Sequence, residues 1–164
     1  MKKFICAIML ICAIFLQSCG ETSMKELLSF QSASYTAELA VNTNGKVLPI
    51  ILVKDGDTFT FSVDEKYTFV LDGGVWHISY GGMSMAISEK AAERSLPKKL
   101  HSALTAAQDA NWEIEKENSD GKDIFVCKCK SAELTFCFDA QTSLPSKILL
   151  GDTECDVMKF EISE

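Results

Sequence analysis

The chain has 164 residues and a formal net charge of −7; 47% of its residues are hydrophobic and 24% are charged. This length predicts one domain, and the composition excludes an intrinsically disordered chain. The acidic balance argues against a nucleic-acid partner, because neutralising phosphates requires clustered lysine and arginine.

The N-terminus has the pattern of a secretory signal peptide. Lys2 and Lys3 precede an apolar run over residues 4–16. At about 1.5 Å per residue, a helix over this run is too short to cross a bilayer. A basic start followed by an apolar segment of this length is typical of export signals. We therefore predict that residues 1–18 form a signal peptide that is removed.

The end of this segment, Leu16-Gln17-Ser18-Cys19, resembles the lipobox of bacterial lipoproteins. The resemblance implies that the Cys19 thiol receives a diacylglyceryl group and that Cys19 becomes the new N-terminus. Two acyl chains of the palmitate type would anchor the protein at the extracytoplasmic face of the cell membrane, since each buried methylene contributes about 0.8 kcal/mol. The alternative is a plain signal peptide with an incidental cysteine. We expect residues 19–33 to form the lipidated N-terminus, a tether and a short helix.

Residues 34–164 are predicted to form one domain that consists mainly of strands. Apolar and polar residues alternate along the chain, as in Thr58–Val63, and Gly73-Gly74 and Gly81-Gly82 mark tight turns. This pattern is typical of an antiparallel meander with one apolar face. The run over residues 46–54 contains Pro49, which lacks the backbone donor of a central strand, so we expect an edge or a bulge there.

A helical segment over residues 88–110 interrupts the strands. Pro97 must break this helix or lie in the first turn of a new one. An apolar residue recurs at every fourth position: Leu96, Leu100 and Leu104. Such a stripe must cover apolar surface elsewhere in the domain. We therefore predict an α+β fold, an antiparallel open half-barrel of about ten strands with helices covering its concave face.

Two patterns carry a resemblance to a known family. One is the turn into an aromatic strand, Leu71-Asp72-Gly73-Gly74-Val75-Trp76, and the other is the strand-turn-strand pattern over residues 134–162. On these patterns residues 24–164 resemble the LolA/LolB lipoprotein-carrier superfamily, which includes lipoproteins of LppX type. The resemblance implies an open β-barrel capped by helices, with an apolar cavity for acyl chains. For some relatives, including a spore-germination lipoprotein of clostridia, it implies a protein-partner role instead.

A cavity of this kind would be lined by the large apolar side chains of the meander and of the helical segment. The candidate ligand-binding residues are Phe59, Phe61, Tyr67, Phe69, Trp76, Tyr80, Met83, Met85, Leu96, Leu100 and Leu104. Aromatic and methionine side chains suit adaptable ligand walls, but the same residues could form only a hydrophobic core.

The residues that could perform chemistry form no recognisable constellation in the sequence. No Ser-His-Asp arrangement, nucleophile elbow or phosphate loop occurs, so we expect neither an enzyme nor a cofactor. His77 and His101 are expected to be hydrogen-bonded or solvated, His101 on the polar flank of its helix. Four cysteines follow Cys19: Cys127, Cys129, Cys137 and Cys155. Buried inert thiols, one disulfide and a metal site are the alternatives, with Cys137 and Cys155 expected on the outer face.

Two functions follow from these expectations. The first is a membrane-anchored extracytoplasmic lipoprotein whose half-barrel binds a hydrophobic ligand, either a lipid or an acyl chain. The second is a non-enzymatic partner of a cell-envelope or cell-wall enzyme, such as one that acts on the spore cortex. This partner would dock through an exposed strand edge near Pro49.

Overall fold

The structure, a computed structural model, describes residues 22–43, 45–108 and 110–163. Cys19 and the predicted signal peptide, residues 1–18, lie outside these ranges. The described residues form one antiparallel sheet of eleven strands. Its strands are β1 (Ser34–Thr43), β2 (Lys46–Asp55), β3 (Thr58–Val63), β4 (Tyr67–Asp72), β5 (Val75–Tyr80), β6 (Met83–Ile87), β7 (Trp112–Ser119), β8 (Lys122–Cys129), β9 (Leu134–Asp139), β10 (Pro145–Leu150) and β11 (Thr153–Ser163).

The helical segments are short. They are α1 (Met24–Leu27), a 3-10 helix (Leu28–Ser32), α2 (Glu89–Ala92), α3 (Leu96–Leu104) and a second 3-10 helix (Lys130–Ala132). Serine oxygens cap the three α-helices by accepting backbone N–H groups: Ser23, Ser88 and Ser95. Pro97 lies in the first turn of α3, where a missing N–H group breaks no helical hydrogen bond.

The order of the strands in the sheet is β6-β5-β4-β3-β2-β1-β11-β10-β9-β8-β7. Strands β1 to β6 form one meander and β7 to β11 form another, and β1 pairs with β11 where the two meet. Tight turns join neighbouring strands; Gly73 and Gly74 connect β4 to β5 with φ angles of 54° and 79°. Both angles lie in the left-handed region, which glycine adopts without steric cost.

The hydrophobic core lies on one face of this sheet, which we call the core face; the opposite face is the outer face. Alternation along each strand puts every second residue on the core face, where directly paired residues meet. Phe61, for example, pairs with Leu52 on one side and with Phe69 on the other. Cys127 of β8 likewise pairs with Phe136 of β9. The antiparallel sheet with one apolar face is therefore as the sequence predicted.

The predicted α+β half-barrel of about ten strands with helices covering a concave face is wrong. The sheet is open with eleven strands, and the longest described helix, α3, has nine residues. Nine residues extend about 14 Å, whereas eleven strands extend across roughly 48 Å. The apolar stripe from Leu96 to Leu104 therefore contacts only part of the sheet. Among the described residues, no helix is long and apolar enough to span a membrane.

The expectation of a sheet edge at Pro49 is also wrong. β2 lies inside the sheet between β1 and β3, and Pro49 pairs with Ala40 of β1. The last pair between β2 and β3 joins Ile50 to Val63, one residue before Pro49 is reached. Pro49 therefore lies one residue beyond the last β2–β3 pair, where no residue of β3 needs a hydrogen bond from its nitrogen. The two edges of the sheet are β6 and β7.

Candidate functional site

The structure divides the candidate ligand-binding residues into two groups. The buried residues belong to the core: Phe59, Phe61, Trp76, Leu100 and Leu104, with Phe69 and Leu96 half-buried against them. The exposed residues are Tyr67, Tyr80, Met83 and Met85. Both groups lie on the core face of the strands or on α3, so the division reflects how far α3 reaches across the sheet.

The buried group holds α3 against the sheet. The His101 ring contacts Phe59 edge-on, with ring centroids 4.7 Å apart, and it contacts Trp76 at 5.8 Å. The Lys98 Nζ lies 6.0 Å from the centroid of the Trp76 ring, and the same group pairs with Glu89 at 3.2 Å. His101 is therefore not on the polar flank of its helix, as the sequence suggested, but faces the aromatic core.

Together with the half-buried Ile78, the exposed group forms a continuous apolar surface, which we call the apolar strip: Tyr67, Ile78, Tyr80, Met83 and Met85. Tyr67 pairs with Tyr80 across β4 and β5, and Tyr80 pairs with Met83 of β6. The two tyrosine rings are stacked with centroids 4.9 Å apart. Tyr80 is 53% exposed and Met83 is 70% exposed. Large contiguous apolar surfaces are typical of sites that contact a ligand or a partner.

The two sheet edges differ in their side chains. Edge strand β6, Met83–Ile87, carries no charged residue, whereas edge strand β7, Trp112–Ser119, carries several. On β7, Glu113 pairs with Lys130 at 2.7 Å and Glu115 pairs with Lys128 at 2.9 Å. Charged side chains on an edge prevent it from pairing with another chain. Edge β6 has no such protection.

A group of buried and half-buried polar side chains lies at the end of the sheet that α3 covers. Lys54 of β2 is 8% exposed, and its Nζ donates a hydrogen bond to the Ala33 carbonyl at 2.8 Å. The same Nζ lies 5.8 Å from the centroid of the Phe59 ring and 6.0 Å from that of Tyr35. We call Lys54, Tyr35 and His101 the polar niche, since each contacts the Phe59 ring or lies next to a residue that does.

Two atoms of this niche are buried without a hydrogen-bond partner among the described residues: the Tyr35 hydroxyl oxygen and the His101 Nδ1. Burial raises the pKa of the Tyr35 hydroxyl, so it stays protonated. Burial, together with the Lys98 charge, lowers the pKa of His101 and favours its neutral form. Sequence reasoning missed Lys54, although its spacing from Ile50 and Leu52 places it on the apolar face.

The free cysteines of the described ranges do not form a reactive site. Cys127, Cys129 and Cys155 are buried, and Cys137 is half-buried. Burial raises the pKa of Cys127 and of Cys155 to about 12, so both thiols are protonated at neutral pH. Cys155 pairs with Ile148 and Val41 on the core face, so the expectation that it shares the outer face with Cys137 is wrong. His77 lies on the outer face of β5.

A cleft of about 720 Å³ lies on the outer face of β7 to β10. Its apolar floor includes Val126 and Leu149, and Lys128 and Lys147 flank it. Both ammonium groups are already paired, Lys128 with Glu115 and Lys147 with Glu154 and Asp156. Lys122 and the carboxylates of Glu117, Asp120 and Asp139 also line the cleft, so charged groups of both signs surround its apolar floor.

No family model matches the chain, and no curated protein matches it. Among solved structures it is similar to a DUF1329 family protein from Desulfovibrio piger ATCC 29098, with 13% identity and a TM-score of 0.44 over 87% of this chain and 94% of that one. It is also similar to MucB, with 12% identity and a TM-score of 0.42 over 88% and 60% of the two chains. A third similar structure is the Pseudomonas aeruginosa MucA/MucB complex, with 14% identity and a TM-score of 0.40 over 84% of this chain and 55% of that one.

The chain thus spans 55% to 60% of the length of the MucB chains. Similarities with TM-scores of 0.44 and below carry no conclusion about function. The proposals below therefore rest on the residues of this chain.

Proposed function

We propose that this protein is an extracytoplasmic lipoprotein, held to the cell membrane by lipid on Cys19, that binds a hydrophobic ligand without catalysing a reaction. The ligand is a lipid or an acyl chain, and it lies on the apolar strip. The observation that supports this proposal is the exposure of Tyr80 and Met83 on the face that elsewhere forms the core.

The side chains of the strip suit an acyl chain. Met83 and Met85 are unbranched and flexible, so they can adjust to ligands of different shape. The stacked rings of Tyr67 and Tyr80 provide a flat apolar surface while their hydroxyl groups reach water. Burying this surface under a ligand is favourable by about 25 cal/mol for each Å² of apolar area removed from water.

A charge placed on the strip tests this proposal. We expect Met83→Asp to lower the affinity for a fluorescent fatty acid at least tenfold, because the introduced side-chain carboxylate would have to lose its water beneath the acyl chain of the probe. Native mass spectrometry of the full chain taken from membranes should show a bound lipid that Met83→Asp loses.

The matched control is Ile51→Asp, which makes the same change at an exposed position of the outer face. This control should bind the fatty acid as the unmodified chain does. Equal binding by both variants, or no bound lipid and no fatty-acid binding at all, would rule out the strip as a lipid site.

The second candidate function is docking of an envelope or cell-wall protein by strand addition to β6. The observation that favours it is that edge strand β6 carries no charged residue, whereas β7, at the opposite edge of the sheet, carries several. Ser84→Lys puts a charge on this edge from the outer face and leaves the strip intact. Loss of a cross-linked envelope protein with unchanged fatty-acid binding would favour this function, whereas unchanged cross-linking would exclude it.

A further inference from the structure

Lys54 is a buried cation that has no carboxylate partner in the described part of the chain. An ammonium group has three N–H donors, and the Ala33 carbonyl takes one of them at 2.8 Å. Among the residues that the structure describes, no carboxylate lies within 4 Å of Lys54. Buried charges are stable in proteins when they are both paired and hydrogen-bonded. Lys54 thus has one hydrogen bond, two aromatic rings and no counter-charge among the described residues, an arrangement that an anion would complete.

The Tyr35 hydroxyl is a second, independent sign of a ligand at this place. Tyr35 is 1% exposed, and its oxygen has no hydrogen-bond partner in the described part of the chain. Tyr35 and Lys54 are direct partners in the pairing of β1 with β2, and Lys54 Nζ lies over the Tyr35 ring. A buried polar group without a partner needs a ligand, an ion or a water molecule to satisfy it.

We infer that the polar niche binds the anionic headgroup, a carboxylate or a phosphate, of the hydrophobic ligand. This inference rests on the proposed function, which it deepens by naming the ligand class: an anionic amphiphile. Lys54 supplies the charge, the Tyr35 hydroxyl donates a hydrogen bond, and the neutral His101 ring, which contacts Phe59 edge-on, is a further hydrogen-bonding group. The rings of Phe59 and Tyr35 exclude water and so strengthen the attraction between the ammonium and the anion.

The spacing between the niche and the apolar strip suits a head and a tail. The niche lies in the row of paired residues that contains Lys54 and Phe59. The strip lies in a second row, in which Val63 pairs with Tyr67 and which continues through Tyr80 to Met83. The two rows lie four residues apart along the strands, about 13 Å, and β4, which carries Tyr67, lies two strand spacings from β2, about 10 Å, so Lys54 and the nearest residue of the strip are about 16 Å apart. Phe61 between them is fully buried, so the chain of the ligand enters by separating α3 from the sheet.

Photoreactive amphiphiles test this arrangement on the full chain in detergent micelles. The probes are dodecanoic acid, dodecyl phosphate and dodecanol, each made with a diazirine either next to the head or at the end of the tail. We expect the head-labelled acid or phosphate to modify peptides containing Tyr35, Phe59 or His101 at least tenfold more than head-labelled dodecanol does. Tail-labelled probes should modify the peptide that contains Tyr67, the residue of the strip nearest to the niche. The stronger of the two anionic probes identifies the source of the headgroup.

A matched pair of lysine variants completes the test. Lys54→Met should abolish the preference for anionic heads, whereas Lys46→Met, an exposed lysine on the same strand, should keep it. Equal head labelling by dodecanol and the anions, or a preference unchanged by Lys54→Met, would overturn the headgroup site but leave the strip as a lipid site. Labelling by none of the probes would overturn both. If Lys54→Met does not fold, the positions labelled by head and tail probes in the unmodified chain decide the question.

Discussion

Trp76 and Tyr80 show how position along one strand decides the role of a side chain. Both lie on the core face of β5, yet Trp76 is 2% exposed and Tyr80 is 53% exposed. His101 and Lys98 of α3 lie against the Trp76 ring. Tyr80 lies beyond the part of the sheet that α3 contacts, so its ring stacks on Tyr67 and faces solvent.

We expect Trp76→Ala to lower the free energy of unfolding by about 3 to 5 kcal/mol, since it removes a fully buried aromatic side chain. Tyr80→Ala, on the same face of the same strand, should lower it by less than about 1 kcal/mol while weakening fatty-acid binding. Urea unfolding followed by fluorescence and circular dichroism measures the first effect. A similar loss of stability in both variants would show that the strip belongs to the core.

At this scale the sequence reveals which face a residue occupies but not whether that face is covered. Phe59, Tyr67 and Met83 follow the same alternation, and nothing in it separates the buried phenylalanine from the exposed methionine. Coverage depends on where α3 packs, which is set by contacts between residues far apart in the chain. Lys54 could have been recognised from its spacing to Leu52, but its missing counter-charge is visible only in three dimensions.

Among the elements, the strands were the most predictable. Alternating residues and the glycine turns mark β3 to β6 directly, and Ser88 marks the start of α2. The place of each strand within the sheet was less predictable, because pairing between β1 and β11 joins the two ends of the domain. Pro49 suggested an edge, but the end of β3 at Val63 explains why proline is tolerated in an interior strand.

The short helix α3 depends on its cap. The Ser95 side chain accepts a hydrogen bond from the Lys98 backbone N–H at 3.3 Å. We expect Ser95→Ala to lower the free energy of unfolding by about 1 kcal/mol, because that N–H group loses its partner. Ser102→Ala, on the exposed side of the same helix, should leave stability unchanged or raise it slightly. Equal effects of the two changes in urea titrations would argue against a capping role for Ser95.

For the whole molecule, stability should depend on pH in two steps. Ion pairs and hydrogen bonds lower the pKa values of Glu115, Asp123 and Asp139. Carboxyl groups with lowered folded-state pKa values stabilise the fold above the unfolded values, about 4, and this contribution is lost as the pH falls below them. These groups lie at the surface, so the stabilisation is small and screened by salt.

His101 accounts for the step at higher pH. Its pKa is lowered in the folded chain, so the unfolded chain takes up a proton first as the pH falls through about 6.5. The free energy of unfolding should therefore decrease between pH 7 and pH 5, and His101→Gln should flatten this part of the curve. His77→Gln, on the outer face of β5, serves as the control and should keep the slope. Urea unfolding at several pH values measures how the free energy of unfolding changes with pH. An unchanged slope in His101→Gln would contradict the assignment of this step to His101.

The pairing of β1 with β11 has a consequence for how the chain is wound. Following the sheet from β7 through β11 and then from β1 to β6 visits the strands in an unbroken up-and-down path. Among the strand pairs of the described residues, only the seam that joins Ser34 to Ser163 connects strands distant in sequence. The sheet thus has the order of one continuous meander, in which β6 and β7, although consecutive in the chain, lie at opposite edges and β1 and β11 are neighbours. Each half can form from adjacent hairpins, and the largest loop to be closed during folding is the one that the seam completes.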